Sequence, residues 1–391
     1  MAQRPAEPGE LTSMGLTGTP FILLICLLAL AALVGVVWVA PRAARRVPAR
    51  VGLLLVPQVL LIAALLTVAN AYFAFYGSWG DLLGMPGGSG GGGGTGDPTG
   101  HHGHLIRGAH GPAGQDPPLV PTHDAFIDGH RLPVKDGRLE AVTIHGGRSG
   151  ISALAYVYLP PQYFRDKTRH FPVTLALTGY PGNAENLITR LQLPQTAARE
   201  IAARRLKPMI FVMMRPMVTP PRDTECTDVP KGPLAETFFA RDLPAAIQSA
   251  YRTVPGPAGW SAMGDSTGGY CALKLAMRHS DRFAAAISMS GYYKALRDIT
   301  TGDLYGGSPA YRNENDLAWR LQHRPAPPID VLVTTSKVGE KDYAATRRFI
   351  ALVHAPMQVS SITLPTGGHH FSVWRRELTP ALRWLNGRLG V

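Results

Sequence analysis

The sequence has little cysteine and no basic cluster of the kind that binds nucleic acid, and each scarcity excludes a class of protein. Three cysteines in 391 residues are too few for a disulfide framework, and none form the C-x-x-C pair of a zinc site. Cys226 and Cys271 form either one disulfide, if they lie outside the cytoplasm, or two free thiols. No run of lysine and arginine is interleaved with aromatic residues, so we expect no nucleic-acid partner. We also expect neither a metal nor a cofactor.

Charged residues are scarce as well, at 17% of the chain, and two segments near the N-terminus have none. Residues 21–40 and 51–76 are uncharged, and each run reaches the ~20 residues that a helix needs to cross a bilayer. The loop between them carries Arg42, Arg45, Arg46 and Arg50, and arginine-rich short loops stay in the cytoplasm. We therefore predict a membrane anchor over residues 1–82, with spans at about 20–40 and 51–76. A cleaved signal peptide is the alternative for the first run.

This topology predicts a multi-pass protein of the cell membrane whose remaining chain lies on the extracytoplasmic side. Residues 83–118 are rich in glycine, proline, histidine and small polar residues. Such a segment buries too little apolar surface to offset its ordering entropy, so we predict a flexible linker. Its histidines are expected to be solvated rather than to bind a metal: His101, His102, His104 and His110. Residues 119–391 then form the folded domain.

The motif Gly264-Asp-Ser-Thr-Gly268 predicts a nucleophilic serine in the folded domain. An apolar run at 260–263 is typical of a strand and residues 269–279 of a helix, so the backbone must reverse sharply at Ser266. The two glycines remove side chains that would collide in such a turn. The turn presents the Ser266 hydroxyl at the carboxyl edge of a sheet. It also places the backbone N–H of Thr267 at a helix start, where it suits a developing oxyanion.

Strand and helix patterns alternate around this motif. Apolar strands are predicted at 171–177, 209–214, 284–290, 331–335 and 359–364, with an antiparallel pair at 138–145 and 152–159 at the sheet edge. Alternation of this kind predicts an α/β fold with a mostly parallel sheet covered by helices on both faces. This is the layout of an α/β-hydrolase.

An acid and a histidine follow the serine in the order that this fold uses. Asp342 and Glu340 both follow the strand that ends near Thr335, where a carboxylate can be buried against an imidazole. We prefer Asp342 and keep Glu340 as the alternative acid. Farther along, the glycine pair before His369 lets the loop bend toward the serine, and His370 is the alternative base.

Several segments resemble the esterase D-type branch of the α/β-hydrolases, which includes feruloyl esterases, enterochelin esterases and mycobacterial mycolyltransferases. The resemblance spans roughly residues 135–390 and rests on these matches: Tyr156-Val-Tyr-Leu-Pro-Pro-Gln-Tyr163, residues 171–182, the serine motif, Ser288-Met-Ser-Gly291, and Gly367-Gly-His369 with Trp374. It implies that His369 is the base, that Asp342 is the acid, and that Tyr180 supplies the second oxyanion N–H. The mycolyltransferases instead use a glutamate. The setting that the chain resembles is a membrane-anchored actinobacterial envelope protein.

Together these residues predict a serine esterase that acts on a small-molecule, lipid or sugar ester. Ser266 attacks the ester, and His369 takes its proton and later returns it to the leaving group. An acyltransferase that moves the acyl group to a sugar or another alcohol would use the same three side chains. A non-catalytic tethered scaffold is the remaining alternative, and the retained serine, acid and histidine argue against it.

Overall fold

The computed structural model describes residues 18–43, 47–73, 118–124, 136–220 and 222–390. The chain divides into two units, Met1–Asp97 and Pro98–Val391. All of the predicted linker except its last residue, with its four histidines, lies outside the described residues.

The first unit contains two long apolar helices, α1 (Thr19–Ala43) and α2 (Val47–Phe73), which pack against each other. The stretches Thr19–Val39 and Val51–Ala71 are 21 residues each, long and apolar enough to cross a membrane. Most of their leucine and valine side chains are exposed in the folded chain. A helix that is apolar on all sides suits lipid rather than water. Because α1 lies near the N-terminus, its length and composition also fit a signal sequence.

The second unit is built on a sheet that has nine strands among the described residues. These are β1 (Leu119–Asp124), β2 (Arg138–His145), β3 (Ser152–Leu159), β4 (Val173–Leu177), β5 (Ile210–Met214), β6 (Trp260–Asp265), β7 (Ala285–Met289), β8 (Asp330–Val338) and β9 (Gln358–Thr366). Their spatial order is β1-β2-β3-β5-β4-β6-β7-β8-β9. Along this spatial order, the three pairings from β1 to β5 are antiparallel, and the five pairings from β5 through β4 to β9 are parallel.

The predicted strands are therefore present, with ends shifted by a few residues. The predicted antiparallel pair is β2 and β3, but this pair does not form the sheet edge. Strand β1 pairs antiparallel with the outer side of β2, so β1 is the edge strand.

Helices cover both faces of the sheet. They are α3 (Pro161–Arg165), α4 (Glu185–Thr189), α5 (Leu193–Ala202), α6 (Ala235–Thr237), α7 (Leu243–Ala250), α8 (Thr267–Arg278), α9 (Pro309–Glu314), α10 (Leu317–His323), α11 (Tyr343–Leu352) and α12 (Phe371–Leu385). Alternate residues of the central strands join two separate apolar cores. Helices α7, α8 and α11 contribute to one core, and α5 and α12 to the other. This is the three-layer arrangement of an α/β-hydrolase.

The C-terminal part of the second unit has two helical features. The last helix, α12, begins at Phe371 and contains Pro380. The long connection 292–328 between β7 and β8 contains α9 and α10. Side-chain oxygens of Ser308 and Asp316 accept backbone N–H bonds at the first turns of these two helices, which stabilises short helices in a long connection.

Candidate active site

The predicted turn between a strand and a helix is present at Ser266, which lies between β6 and α8. Its φ of 52° is in the left-handed region that favours glycine, and its backbone N–H donates to the carbonyl of Met289 at 2.9 Å. A Cβ on Gly264 would lie 2.3 Å from the carbonyl carbon of Gly268, and one on Gly268 would lie 2.1 Å from the carbonyl oxygen of Leu177. The motif therefore needs glycine at both positions for the turn to close.

His369 lies in the loop between β9 and α12 and contacts the serine. Its Nε2 is 2.8 Å from Ser266 Oγ. The loop is held beside the end of β8 because the backbone N–H of Gly367 donates to the carbonyl of Val338 at 2.9 Å. Gly339, with a φ of +92°, lies so close that a Cβ on it would be 1.8 Å from the carbonyl oxygen of Gly367. This close backbone contact brings the turn after β8 to the loop that carries the histidine.

The acid that contacts the histidine is Glu340. Its Oε1 is 3.2 Å from His369 Nδ1, and its side chain is only 2% exposed. Asp342, the acid preferred from the sequence, lies directly before α11 and is half-buried. Of the two carboxylates, Glu340 rather than Asp342 is the hydrogen-bond partner of His369. The tight turn at Gly339 directs position 340 toward the imidazole, whereas at position 342 the backbone is already at the start of α11.

His370, the alternative base, is directed elsewhere. Its Nδ1 is 2.8 Å from Ser372 Oγ, within the first turn of α12. The structure thus brings Ser266, His369 and Glu340 together, and leaves His370 and Asp342 out of this hydrogen-bonded chain.

Negative charge around the imidazole favours its protonated form. Burial lowers the pKa of His369. The hydrogen bond and the charge of Glu340, together with the charges of Asp265 and Asp342, raise this pKa by more than burial lowers it. The net result is a pKa above the usual value of 6.5. An imidazole in this environment is a stronger base, and its cation is stabilised as it forms.

Both predicted oxyanion donors lie on segments that adjoin the serine. Thr267 is the first residue of α8, directly after Ser266. Tyr180 lies in the loop after β4, where the backbone N–H of Gly179 donates to Asp265 Oδ2 at 2.9 Å. A Cβ on Gly179 would lie 2.9 Å from the Cβ of Ser266, so this loop runs directly against Ser266.

The structure adds features that the sequence did not reveal. Ser290 Oγ and the indole of Trp374 lie behind Glu340, and the only sequence signal for either was membership of the segments that resemble the esterases. The sequence left open whether Cys226 and Cys271 form a disulfide or two free thiols. In the structure they are joined by a disulfide, which ties the loop before α6 to α8. Among the described residues, no three His, Cys, Asp or Glu side chains form a group that could hold a metal ion.

Comparison with known proteins places this geometry in a family. The Esterase family model matches residues 152–385, which include Ser266, Glu340 and His369. An uncharacterised protein of Corynebacterium glutamicum is 26% identical over 261 residues, covering 64% of this chain and 61% of that protein. The chain thus spans about three fifths of the length of this relative.

Solved structures share the fold at low sequence identity. A ferulic acid esterase has a TM-score of 0.55 at 19% identity, over 64% of this chain and 97% of that one. An S-formylglutathione hydrolase of Agrobacterium tumefaciens has a TM-score of 0.54 at 15% identity, over 67% and 99% of the two chains. At these identities the likeness shows the α/β-hydrolase fold.

Proposed function

The chain belongs to the Esterase family, and from this membership and the geometry of the site we propose that it is a serine esterase. The observation that carries the proposal is the continuous hydrogen-bonded chain of Ser266, His369 and Glu340. A strained serine at the head of a helix, within reach of an imidazole that a buried carboxylate orients, is the arrangement of nucleophilic acyl transfer.

Each side chain has one task in the proposed reaction. Nε2 of His369 takes the hydroxyl proton as Ser266 Oγ attacks the ester carbonyl carbon, and the negative oxygen forms beside the N–H groups of Thr267 and Tyr180. The bond to the alcohol oxygen then breaks, and His369 gives that oxygen its proton. Water then attacks the acyl-enzyme as His369 takes one of its protons. His369 returns a proton to Ser266 Oγ as the acyl bond breaks, which releases the acid and the free serine. Glu340 accepts a hydrogen bond from Nδ1–H of His369 throughout the reaction.

Hydrolysis is favoured over acyl transfer by the exposure of the base. The His369 side chain is 46% exposed, so water can approach the imidazole that would activate it. A small-molecule ester is the substrate class that membership of the Esterase family supports. An acyltransferase must instead exclude water while an alcohol acceptor binds.

We further propose that the chain is a multi-pass membrane protein with this site on the extracytoplasmic side. The length and apolar composition of α1 and α2 support two spans. The arginines at positions 42–50, between the two apolar stretches, support a cytoplasmic loop. The Cys226–Cys271 disulfide supports an oxidising compartment for the second unit.

The test is hydrolysis of p-nitrophenyl esters of increasing chain length by the full chain in detergent. The release of p-nitrophenolate should exceed that of Ser266→Ala by several orders of magnitude. Equal rates for the two proteins would contradict the proposal and favour the scaffold. Adding a sugar as acceptor separates the two enzyme activities, since free acid as the product supports hydrolysis and a sugar ester supports transfer.

A further inference from the structure

Two buried side chains, Ser290 and Trp374, lie behind the carboxylate that contacts His369. Ser290 follows the last residue of β7 and is 2% exposed, and Trp374 lies in the first turn of α12 and is 4% exposed. The indole Nε1 of Trp374 donates to Ser290 Oγ at 3.0 Å, and Ser290 Oγ donates to Glu340 Oε2 at 3.0 Å. The second oxygen of the acid is therefore bound as well as the first.

The direction of these hydrogen bonds follows from the chemistry of the indole. An indole N–H is a donor only, so Ser290 Oγ must act as its acceptor. The single hydroxyl proton of Ser290 is then directed to Glu340 Oε2. Both bonds stabilise the ionised carboxylate, since each member of the chain polarises the next.

The fixed carboxylate determines the tautomer of the base. With Oε2 occupied by Ser290, Oε1 accepts the proton on Nδ1 of His369. The lone pair of Nε2 is then directed at Ser266 Oγ, where general-base catalysis needs it. One unbroken series of hydrogen bonds thus runs from the indole to the nucleophile.

The backbone at Ser290 links the acid to the nucleophile a second time. Ser290 has a φ of +49°, a left-handed conformation that is unfavourable in a residue other than glycine. Its neighbour Met289 accepts the backbone N–H of Ser266. The end of β7 therefore contacts both the serine and the acid. Trp374 also packs edge-on against the imidazole of His369, with ring centroids 5.2 Å apart.

We propose that Ser290 and Trp374 are positioning residues, which hold the Glu340 carboxylate and through it set the tautomer and orientation of His369. The inference rests on the proposed esterase function and assigns a role to residues that contact neither the substrate nor the nucleophile side chain. A residue that only filled space would affect folding and activity without regard to the state of Glu340.

A double-mutant cycle on the full chain in detergent separates these two roles. Ser290→Ala removes a buried hydrogen bond to a charged group and should lower kcat about 10- to 100-fold, with KM changed less than about 2-fold. In the Glu340→Gln background the same substitution should cost less than about 3-fold, because the carboxylate that it supports is gone. Trp374→Phe keeps an aromatic ring but removes the donor, and should show the same coupling with a smaller loss.

Ser288→Ala is the matched control. Ser288 is buried two residues earlier on β7, and its hydroxyl has no hydrogen-bond partner among the described residues. This variant should keep kcat within about 3-fold in both backgrounds. An equal loss for Ser290→Ala with and without Glu340, or a loss no larger than that of Ser288→Ala, would overturn the inference. If Ser290→Ala does not fold, the Trp374→Phe cycle distinguishes the two roles by the same criterion.

A proton NMR spectrum provides a readout that needs no turnover. The resonance of the Nδ1 proton of His369, assigned by its loss in His369→Ala, should shift in Ser290→Ala and stay in place in Ser288→Ala. An unshifted resonance in Ser290→Ala would contradict the positioning role. An enzyme with no more activity than Ser266→Ala would instead contradict the esterase proposal, so the two failures are distinguishable.

Discussion

Replacing Glu340 by glutamine tests which acid completes the site, and the structure shows why this small change should be severe. The carboxylate accepts two hydrogen bonds, from Ser290 Oγ on one oxygen and from His369 Nδ1 on the other. An amide of the same size offers one acceptor oxygen and one NH₂ group. If the amide oxygen stays with Ser290, its NH₂ group faces Nδ1, and the imidazole must carry its proton on Nε2.

An imidazole with its proton on Nε2 cannot take one from Ser266. The loss of negative charge also removes stabilisation of the imidazolium during the reaction. A wrong tautomer in a serine triad costs about 10⁴-fold in kcat, which corresponds to roughly 5.4 kcal/mol of transition-state stabilisation. We expect a loss of about 10³- to 10⁴-fold for Glu340→Gln. KM should change little, because the Glu340 side chain is 2% exposed and so offers almost no surface to substrate.

Asp342→Asn is the matched comparison, since it makes the same chemical change two residues away. It should lower kcat less than about 5-fold, because Asp342 acts on His369 only through its nearby charge. Both variants are compared with the unmodified chain and with Ser266→Ala in the p-nitrophenyl ester assay, with thermal unfolding as the check on folding. A loss for Asp342→Asn as large as that for Glu340→Gln would refute the assignment of Glu340.

Three other predictions follow from single features of the site. The base must be neutral, so kcat/KM should rise with pH through the pKa of His369; because this pKa is raised, the midpoint should lie above 6.5, and a midpoint below that value would contradict the geometry. Replacing both Cys226 and Cys271 by serine removes a cross-link between residues 45 positions apart, so the free energy of unfolding of the second unit should fall by about 4 kcal/mol. Denaturant unfolding measures this, and an unchanged midpoint would show that the disulfide does not form. Gly179→Ala would put a Cβ 2.9 Å from the Cβ of Ser266, so kcat should fall at least about 10-fold without loss of folding. The control Gly147→Ala adds a Cβ where there is open space, so it should have little effect on kcat.

The turns that bring Ser266 and His369 together were predictable because glycine marks the places where the backbone turns sharply. Gly264 and Gly268 permit the turn at Ser266, and Gly367 with Gly368 precedes the histidine. The alternation of apolar strands and helices predicted the parallel sheet because buried strands have a uniform composition that surface segments lack.

The identity of the acid was not predictable in the same way. Glu340 and Asp342 follow the same strand, and the choice between them depends on the direction of a turn at Gly339, whose φ of +92° no composition rule supplies. Ser290 and Trp374 lie 84 residues apart in the chain, so their contact exists only once β7 and α12 are packed together. Edge strand β1 was missed because its sequence, with a proline and several polar residues, lacks the apolar pattern of the central strands.

Trapping the acyl-enzyme shows directly whether Ser266 is the nucleophile. The full chain is mixed with an activated ester, quenched in acid and digested, and its peptides are measured by mass spectrometry. We expect the peptide containing Ser266 to gain the mass of one acyl group. This gain should be absent in Ser266→Ala and should form much more slowly in His369→Ala. Acylation of another residue at the same rate in Ser266→Ala, with turnover intact, would contradict the assignment of Ser266 as the nucleophile.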